Sequence, residues 1–392
     1  MRIMRIFLAL SIGLIVTLPA AAVTGLPNEV PDEILEQAET SFIFIFKDTV
    51  RSGEIRGLAH QLATAKNGSL RHIFSKAIKG FSATISSKGA AAIANNPHIA
   101  YYEPNRIVWA ADMREEPQPR PRPGPGHEDD GDDDDDGESL QITPWGIERV
   151  GGPVDGSGLH AWIIDSGIDL DHPDLNVGYG INFVDIGLEQ TPDDAYGHGT
   201  HVAGTVAAID NKIDVIGVSP NATVHPVRVL AKSGFGTADW IVAGIDYVAA
   251  NALAGDCANM SLGGLGHQES IHDAVLGAAN LGILFSVAAG NDGEDAEDYE
   301  PAHVEHPNVY TISAIDNEDV FASFSNWGDP VDFAAPGVDI LSTQMGGGTT
   351  EKSGTSMAAP HVCGILLHMA PPNTDGYAID DPDKDPDPIA HF

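Results

Sequence analysis

The 392-residue sequence is poor in basic side chains. Lys and Arg number 20 against 57 Asp and Glu, a formal net charge of -37. So acidic a surface excludes unaided binding to nucleic acid or anionic lipid and suits cations, calcium among them. Cysteine is nearly absent: Cys257 and Cys363 are the only two, too few for a disulfide framework or a zinc knuckle. Two buried small apolar side chains are the preferred reading; one disulfide in an oxidising compartment is the alternative. Past the first 22 residues no uncharged run of membrane-spanning length is apolar throughout. The H-E-x-x-H signature of zinc proteases is missing as well.

What is present divides the chain. Arg2 and Arg5 precede an apolar run from Ile6 to Leu18, then Pro19-Ala20-Ala21-Ala22. This is the layout of an export signal over residues 1–22, cut after Ala22, and implies a secreted product. Residues 40–110 read as a small α/β unit. It has an apolar strand at Phe42–Phe46, a helix near Gly57–Lys66, an alternating strand at Ile78–Ile85, an Ala-rich stretch at 90–95 and a last strand at Tyr101–Val108. Residues 111–140 form a linker, with alternate prolines from Pro117 to Pro125 and then nine carboxylates between Glu128 and Glu138. Such a composition cannot bury enough apolar surface to fold, so an exposed, cleavable tether is expected.

In residues 141–370, apolar runs of strand length (Ala161–Ile164, Val224–Leu230, Ile283–Ala289) alternate with helix-length stretches (Val202–Ala208, Trp240–Ala250). That alternation predicts an α/β domain with a parallel sheet covered by helices on both faces, and places reactive groups at the carboxyl ends of its strands. Pro371-Pro372 then stop the last helix. Residues 371–392, with Asp380, Asp381, Asp383, Asp385 and Asp387, lack EF-hand spacing and read as a disordered acidic tail rather than a calcium site.

Three motifs carry chemistry. Asp165-Ser166-Gly167 follows a buried strand, His198-Gly199-Thr200-His201 opens a helix, and Gly354-Thr355-Ser356-Met357-Ala358-Ala359-Pro360 opens another. Singly they read as a turn, a metal pair or a helix cap. Together they hold a hydroxyl nucleophile, a base to take its proton and a carboxylate to orient the base. The same order, Asp then His then Ser, is known for subtilisin.

On these motifs residues 141 to about 366 resemble the subtilisin-like (subtilase) family, and residues 40–110 resemble its small α/β (ferredoxin-like) inhibitory propeptide. The resemblance implies a serine endopeptidase acting through an acyl-enzyme, with Asp165, His198 and Ser356 as the triad and Asn291, in Ala288-Ala289-Gly290-Asn291, as the oxyanion donor. It implies that Gly234-Phe235-Gly236 and Ser261-Leu262-Gly263-Gly264 pair with an extended substrate. It further implies a structural Ca2+ held by Gln141, Asp174, Ile209, Asn211, Ile213 and Val215, with Lys212 in that loop acting against it. Glu294–Asp298 would lie on the rim of the S1 pocket and favour basic residues there; a solvated loop is the other reading. Protein substrates, the chain's own propeptide as inhibitor, no nucleic-acid or membrane partner and a monomeric state complete the expectation. Processing is expected near Leu140 and Gln141. A catalytically inactive subtilase-fold binding protein is the alternative.

Overall fold

The computed structural model describes residues 30–111, 141–187 and 190–392. The export signal, residues 112–140 of the linker and the expected cut after Leu140 lie outside these.

The amino-terminal unit is a four-stranded antiparallel sheet, in the order Ser69–Phe74, Gly80–Thr84, Ser41–Phe46, Ile99–Pro104. Helices Ser52–Ala65 and Ser87–Ala94 connect its strands. Phe44 and Phe81 stack across it at 4.9 Å, within one apolar cluster that includes Ile55, Ala59 and Ile93. A further helix, Asp32–Thr40, precedes the first strand, so the unit begins ahead of residue 40. The strand expected at Tyr101–Val108 is two strands. Ile99–Pro104 stays in the sheet and Ile107–Ala110 leaves it. Asn105 makes the break: its amide donates to Ser41 Oγ at 2.9 Å and to Asp239 Oδ1 of the main domain at 2.7 Å.

The main domain is built on a nine-stranded sheet. From one edge the strands run Asn373–Tyr377, Pro388–His391, Phe333–Pro336, Val309–Ile315, Leu284–Ala288, Cys257–Met260, His160–Asp165, Thr223–Arg228 and Ile181–Asn182. All neighbours are parallel except the first pair. Side chains alternate between the faces of a strand. Ala161 and Ile163 therefore pack with the helices His198–Ala207 and Thr355–Leu366, while Trp162 and Ile164 pack with Ala238–Asn251 and Glu269–Ala279. Burial on both faces explains why the strand sequences are apolar without alternation.

Two expectations fail here. The segment after residue 370 is folded, and it forms two strands of the sheet. Asp387 is 5% exposed and accepts a 2.6 Å hydrogen bond from Ser313 Oγ. Arg149 ties the segment down, bonding Asp319 through two nitrogens and the Asp375 carbonyl at 2.8 Å. Composition misled because the carboxylates are spent on local turns: Asp381 accepts the Asp387 amide and Asp383 the Asp385 amide. That leaves Ile389 and Ala390 fully buried. The second failure concerns the cysteines. Cys257 and Cys363 are joined in a disulfide linking the strand Cys257–Met260 to the helix Thr355–Leu366.

Candidate active site

Asp165 ends the strand His160–Asp165, and His198 opens the helix His198–Ala207. His198 Nδ1 lies 2.8 and 2.9 Å from the two Asp165 carboxylate oxygens, and both residues are fully buried. An ionised carboxylate only accepts, so Nδ1 carries the hydrogen and Nε2 carries the ring's lone pair. Burial pushes the Asp165 carboxyl up from its ordinary value, against the pull of His198.

The helix start is held by Asp194, a residue the sequence reading passed over. One carboxylate oxygen accepts from Ser166 Oγ, Tyr196 N and Gly197 N; the other accepts from Thr200 N and Thr200 Oγ1 at 2.6–2.9 Å. These satisfy amides that the first turn leaves unpaired. The signal was available as an Asp four residues ahead of a helix-opening His. Gly199 is required beside it, because a Cβ there would overlap the Gly167 carbonyl oxygen.

Ser356 is the second residue of the helix Thr355–Leu366, entered through Gly354 at φ 150°. Pro360 sits inside this helix and has no amide hydrogen for the Ser356 carbonyl. Ser261 Oγ supplies one instead, at 2.8 Å. The Ser356 hydroxyl donates to the Ser261 carbonyl oxygen at 3.0 Å. Asn291 is fixed by accepting from Thr355 N and Thr355 Oγ1 at 2.8 and 2.9 Å. Its loop is tied by Asn326, which donates to the Ala289 carbonyl and accepts from the amides of Asp292 and Glu294. Asn326 too was missed, for no local pattern marks it.

The groove beside these residues is filled by the chain itself. The strand Ile107–Ala110 lies antiparallel between Phe235–Thr237 and Leu262–Leu265, with Trp109 opposite both Phe235 and Gly263, and Val108 opposite Gly236. Ala110 N donates to the Gly234 carbonyl at 2.9 Å and Ala111 N to the Ser261 carbonyl at 3.2 Å. Gly264 pairs with Glu300 on the far side of Leu262–Leu265. The carbonyl oxygen of Ala111 accepts a hydrogen bond from Asn291 Nδ2.

Elsewhere the amino-terminal unit is gripped by main-domain carboxylates. Asp239, fully buried, accepts from Arg71 Nε at 2.8 Å, Ser82 Oγ at 2.9 Å and Asn105 Nδ2 at 2.7 Å. These partners outweigh its burial and hold its pKa down at about 2. Asp246 accepts the amides of Ser75, Lys76 and Ala77. Glu103 reaches the other way, to Ser270 N at the start of the helix Glu269–Ala279.

Gln141, Asp174, Ile209, Asn211, Ile213 and Val215 also lie together. Gln141 Nε2 donates to the carbonyls of Ile209 and Val215 at 2.5 and 2.8 Å. Asp174, fully buried, accepts from Asn211 Nδ2 and Val215 N. Ile213 N donates to Asn211 Oδ1. Burial raises the Asp174 carboxyl to about 6.

A buried Asp–His pair at a strand end, with a serine opening a neighbouring helix and a groove that takes an extended chain, defines a serine hydrolase of peptide bonds. The chain belongs to the subtilase family, whose model matches residues 156–374. The model of the peptidase inhibitor I9 family matches residues 35–111. The chain is 34% identical over 353 residues to subtilisin E of Bacillus subtilis strain 168, covering 87% of this chain and 84% of that one. It is 33% identical over 361 residues to the subtilisin-like serine protease AsES of Sarocladium strictum, covering 88% and 83%. A crystal structure of a cold adapted subtilisin-like serine proteinase superposes with a TM-score of 0.57 at 34% identity, covering 64% of this chain and 98% of that one. The protein is thus a subtilisin-family serine endopeptidase carrying an I9 propeptide, which acts on protein substrates.

Proposed function

We propose that Ser356 is the nucleophile, His198 the general base and then acid, Asp165 the group that orients His198, and Asn291 an oxyanion donor. We propose also that the first bond cut is the chain's own Ala111–Asp112 bond. The observation that carries this is the hydrogen bond from Asn291 Nδ2 to the Ala111 carbonyl oxygen, made with the Ala111 amide held on the Ser261 carbonyl.

Ser356 Oγ adds to the Ala111 carbonyl carbon as its proton passes to His198 Nε2. The carbonyl oxygen takes up the negative charge beside the Asn291 amide and the helix start. The C–N bond to Asp112 then breaks, and His198 returns the proton to the leaving nitrogen. Water enters by the same steps and releases Ala111 as a carboxylate. The cut falls 29 residues ahead of the expected site near Leu140 and Gln141; the tether between them is left to a later cut. After the first cut the propeptide keeps every contact with Asp239, Asp246 and Ser270, which is why it inhibits. Gly234, Phe235, Gly236, Ser261, Leu262, Gly263 and Gly264 serve any extended peptide the same way. Backbone pairing of this kind tolerates many sequences.

The Gln141–Val215 cluster suits Ca2+. It combines a buried carboxylate, two side-chain amides and several carbonyls, the mixture a hard cation takes. When bound, the ion stabilises the fold and takes no part in bond cleavage. The amino-terminal signal layout supports export to the extracellular space, where the protein acts as a monomer; among the described residues no helix is long and apolar enough to cross a membrane.

Mass analysis of the freshly folded chain tests the reading. A fragment ending at Ala111 and a partner beginning at Asp112 are expected, with no cleavage in Ser356→Ala. A first cut only at Leu140–Gln141, or cleavage retained in Ser356→Ala, would overturn it.

A further inference from the structure

Behind the wall of the groove lies a group of side chains that the proteolytic reading does not use. His267 follows the strand Leu262–Leu265, and Glu300 ends the strand Tyr299–Glu300 that pairs with it. His303 stands three residues further on. One donor atom from each of His267, Glu300 and His303 lies within 4.8 Å of the other two.

His303 Nδ1 lies 3.0 Å from the Tyr299 carbonyl oxygen. A carbonyl only accepts, so Nδ1 carries the hydrogen and Nε2 presents a lone pair. This is the backbone-anchored arrangement that orients metal-binding imidazoles. Around that Nε2 stand His267 Nδ1 at 3.1 Å, His272 Nδ1 at 3.1 Å and Glu300 Oε2 at 3.4 Å. One in-plane lone pair cannot serve three such neighbours. Glu300 is only 3% exposed, and its Oε1 has no hydrogen-bond partner. A single cation between the three groups would resolve all of this. Ligand bonds of about 2.0–2.1 Å in a tetrahedron place donor atoms roughly 3.3 Å apart, close to the distances from His303 Nε2 to His267 Nδ1 and to Glu300 Oε2.

We propose that His267, Glu300 and His303 form a binding site for a borderline divalent cation of the Zn2+ class, with water as the fourth ligand. Imidazole nitrogens select such an ion over Ca2+, so this site is separate from the Gln141–Val215 cluster. The buried Glu300 and the anchored His303 make the rigid part, and the exposed His267 closes it. The ion ties the turn after Leu262–Leu265 to the segment after Tyr299–Glu300, bracing the groove wall from the side opposite the substrate. It stands independently of the triad assignment.

The test uses the full-length Ser356→Ala chain without an affinity tag, stripped with EDTA and returned to a Ca2+ buffer. Titration with Zn2+ by calorimetry is expected to give one ion per chain that excess Ca2+ does not displace. Co2+ in its place is expected to give the strong visible absorption of a four-coordinate ion. His303→Ala and the exposed-site variant His267→Ala should each weaken binding by about tenfold or more, with circular dichroism unchanged in at least the latter. No Zn2+ uptake by the parent, or uptake by His267→Ala equal to the parent's, would overturn the proposal.

Discussion

The side-chain amide of Asn291 donates to the carbonyl oxygen of Ala111, 180 residues away in sequence. The proposed first cut would thus leave the propeptide's last carbonyl on the donor proposed to stabilise the oxyanion. Asn291 keeps its side-chain oxygen on Thr355, accepting from Thr355 N and Oγ1. Asn291→Asp retains that second contact and loses the donor. Removing the equivalent donor in subtilisin lowers kcat about 10²–10³-fold. The same loss is expected here in the first-order rate at which the precursor cleaves itself, followed by gel densitometry, with little change in KM for added peptide.

Arg71 stands between the propeptide and a fully buried carboxylate, Asp239. Arg71→Ala leaves that charge with only neutral partners. Truncating one member of a buried charged pair costs about 2 kcal/mol or more. Processing should proceed normally, but activity should appear earlier after the cut because the fragment leaves sooner. A time course of peptide hydrolysis set against fragment mass checks this; an unchanged lag would mean that Asn105, Ser82 and Thr237 hold Asp239 adequately without Arg71.

Calcium at the proposed Gln141–Val215 site would add stability by mass action, about 2.7 kcal/mol when the free ion is a hundredfold above Kd. Chelation should lower Tm in the parent and have a much smaller effect in Asp174→Ala. Equal chelator effects in both would remove Asp174 from the site.

Asp387 should make the carboxyl-terminal strands sensitive to alkali. Burial first, then the neighbouring carboxylates Asp381, Asp383 and Asp385, raise its folded pKa from 3.8 to about 8. The folded state therefore holds a proton that the unfolded chain releases. Its contribution is complete below the unfolded value and is lost as pH rises towards 8, by no more than about 1.4 kcal/mol per pH unit. Asp387→Asn keeps an acceptor for Ser313 and cannot ionise. Denaturant midpoints of the inactive Ser356→Ala background between pH 5 and 8 should slope downward less with the Asn substitution; identical slopes would count against it.

Much of this molecule is legible in one dimension. Continuous apolar runs such as Ala161–Ile164 announce strands buried on both faces, because period and burial are local consequences of side-chain type. The motifs at Asp165, His198 and Ser356 are equally local, since each sits where a strand ends or a helix begins. Other features depended on partners distant in sequence. Asn326 supports Asn291 through a loop contact with no pattern of its own. Cys257 and Cys363 meet only because a strand and a helix pack side by side. The acidic segment after residue 370 was read as disordered because composition counts charges, whereas folding depends on where each charge finds a donor; Ser313, Arg149 and the local turn amides provide them. Most consequentially, residues 107–111 read as the end of a strand closing at Val108 followed by the start of the linker at 111. Only the tertiary structure sets them in the groove with Ala111 on Asn291, because backbone pairing between strands far apart in the chain leaves no periodic trace in either one.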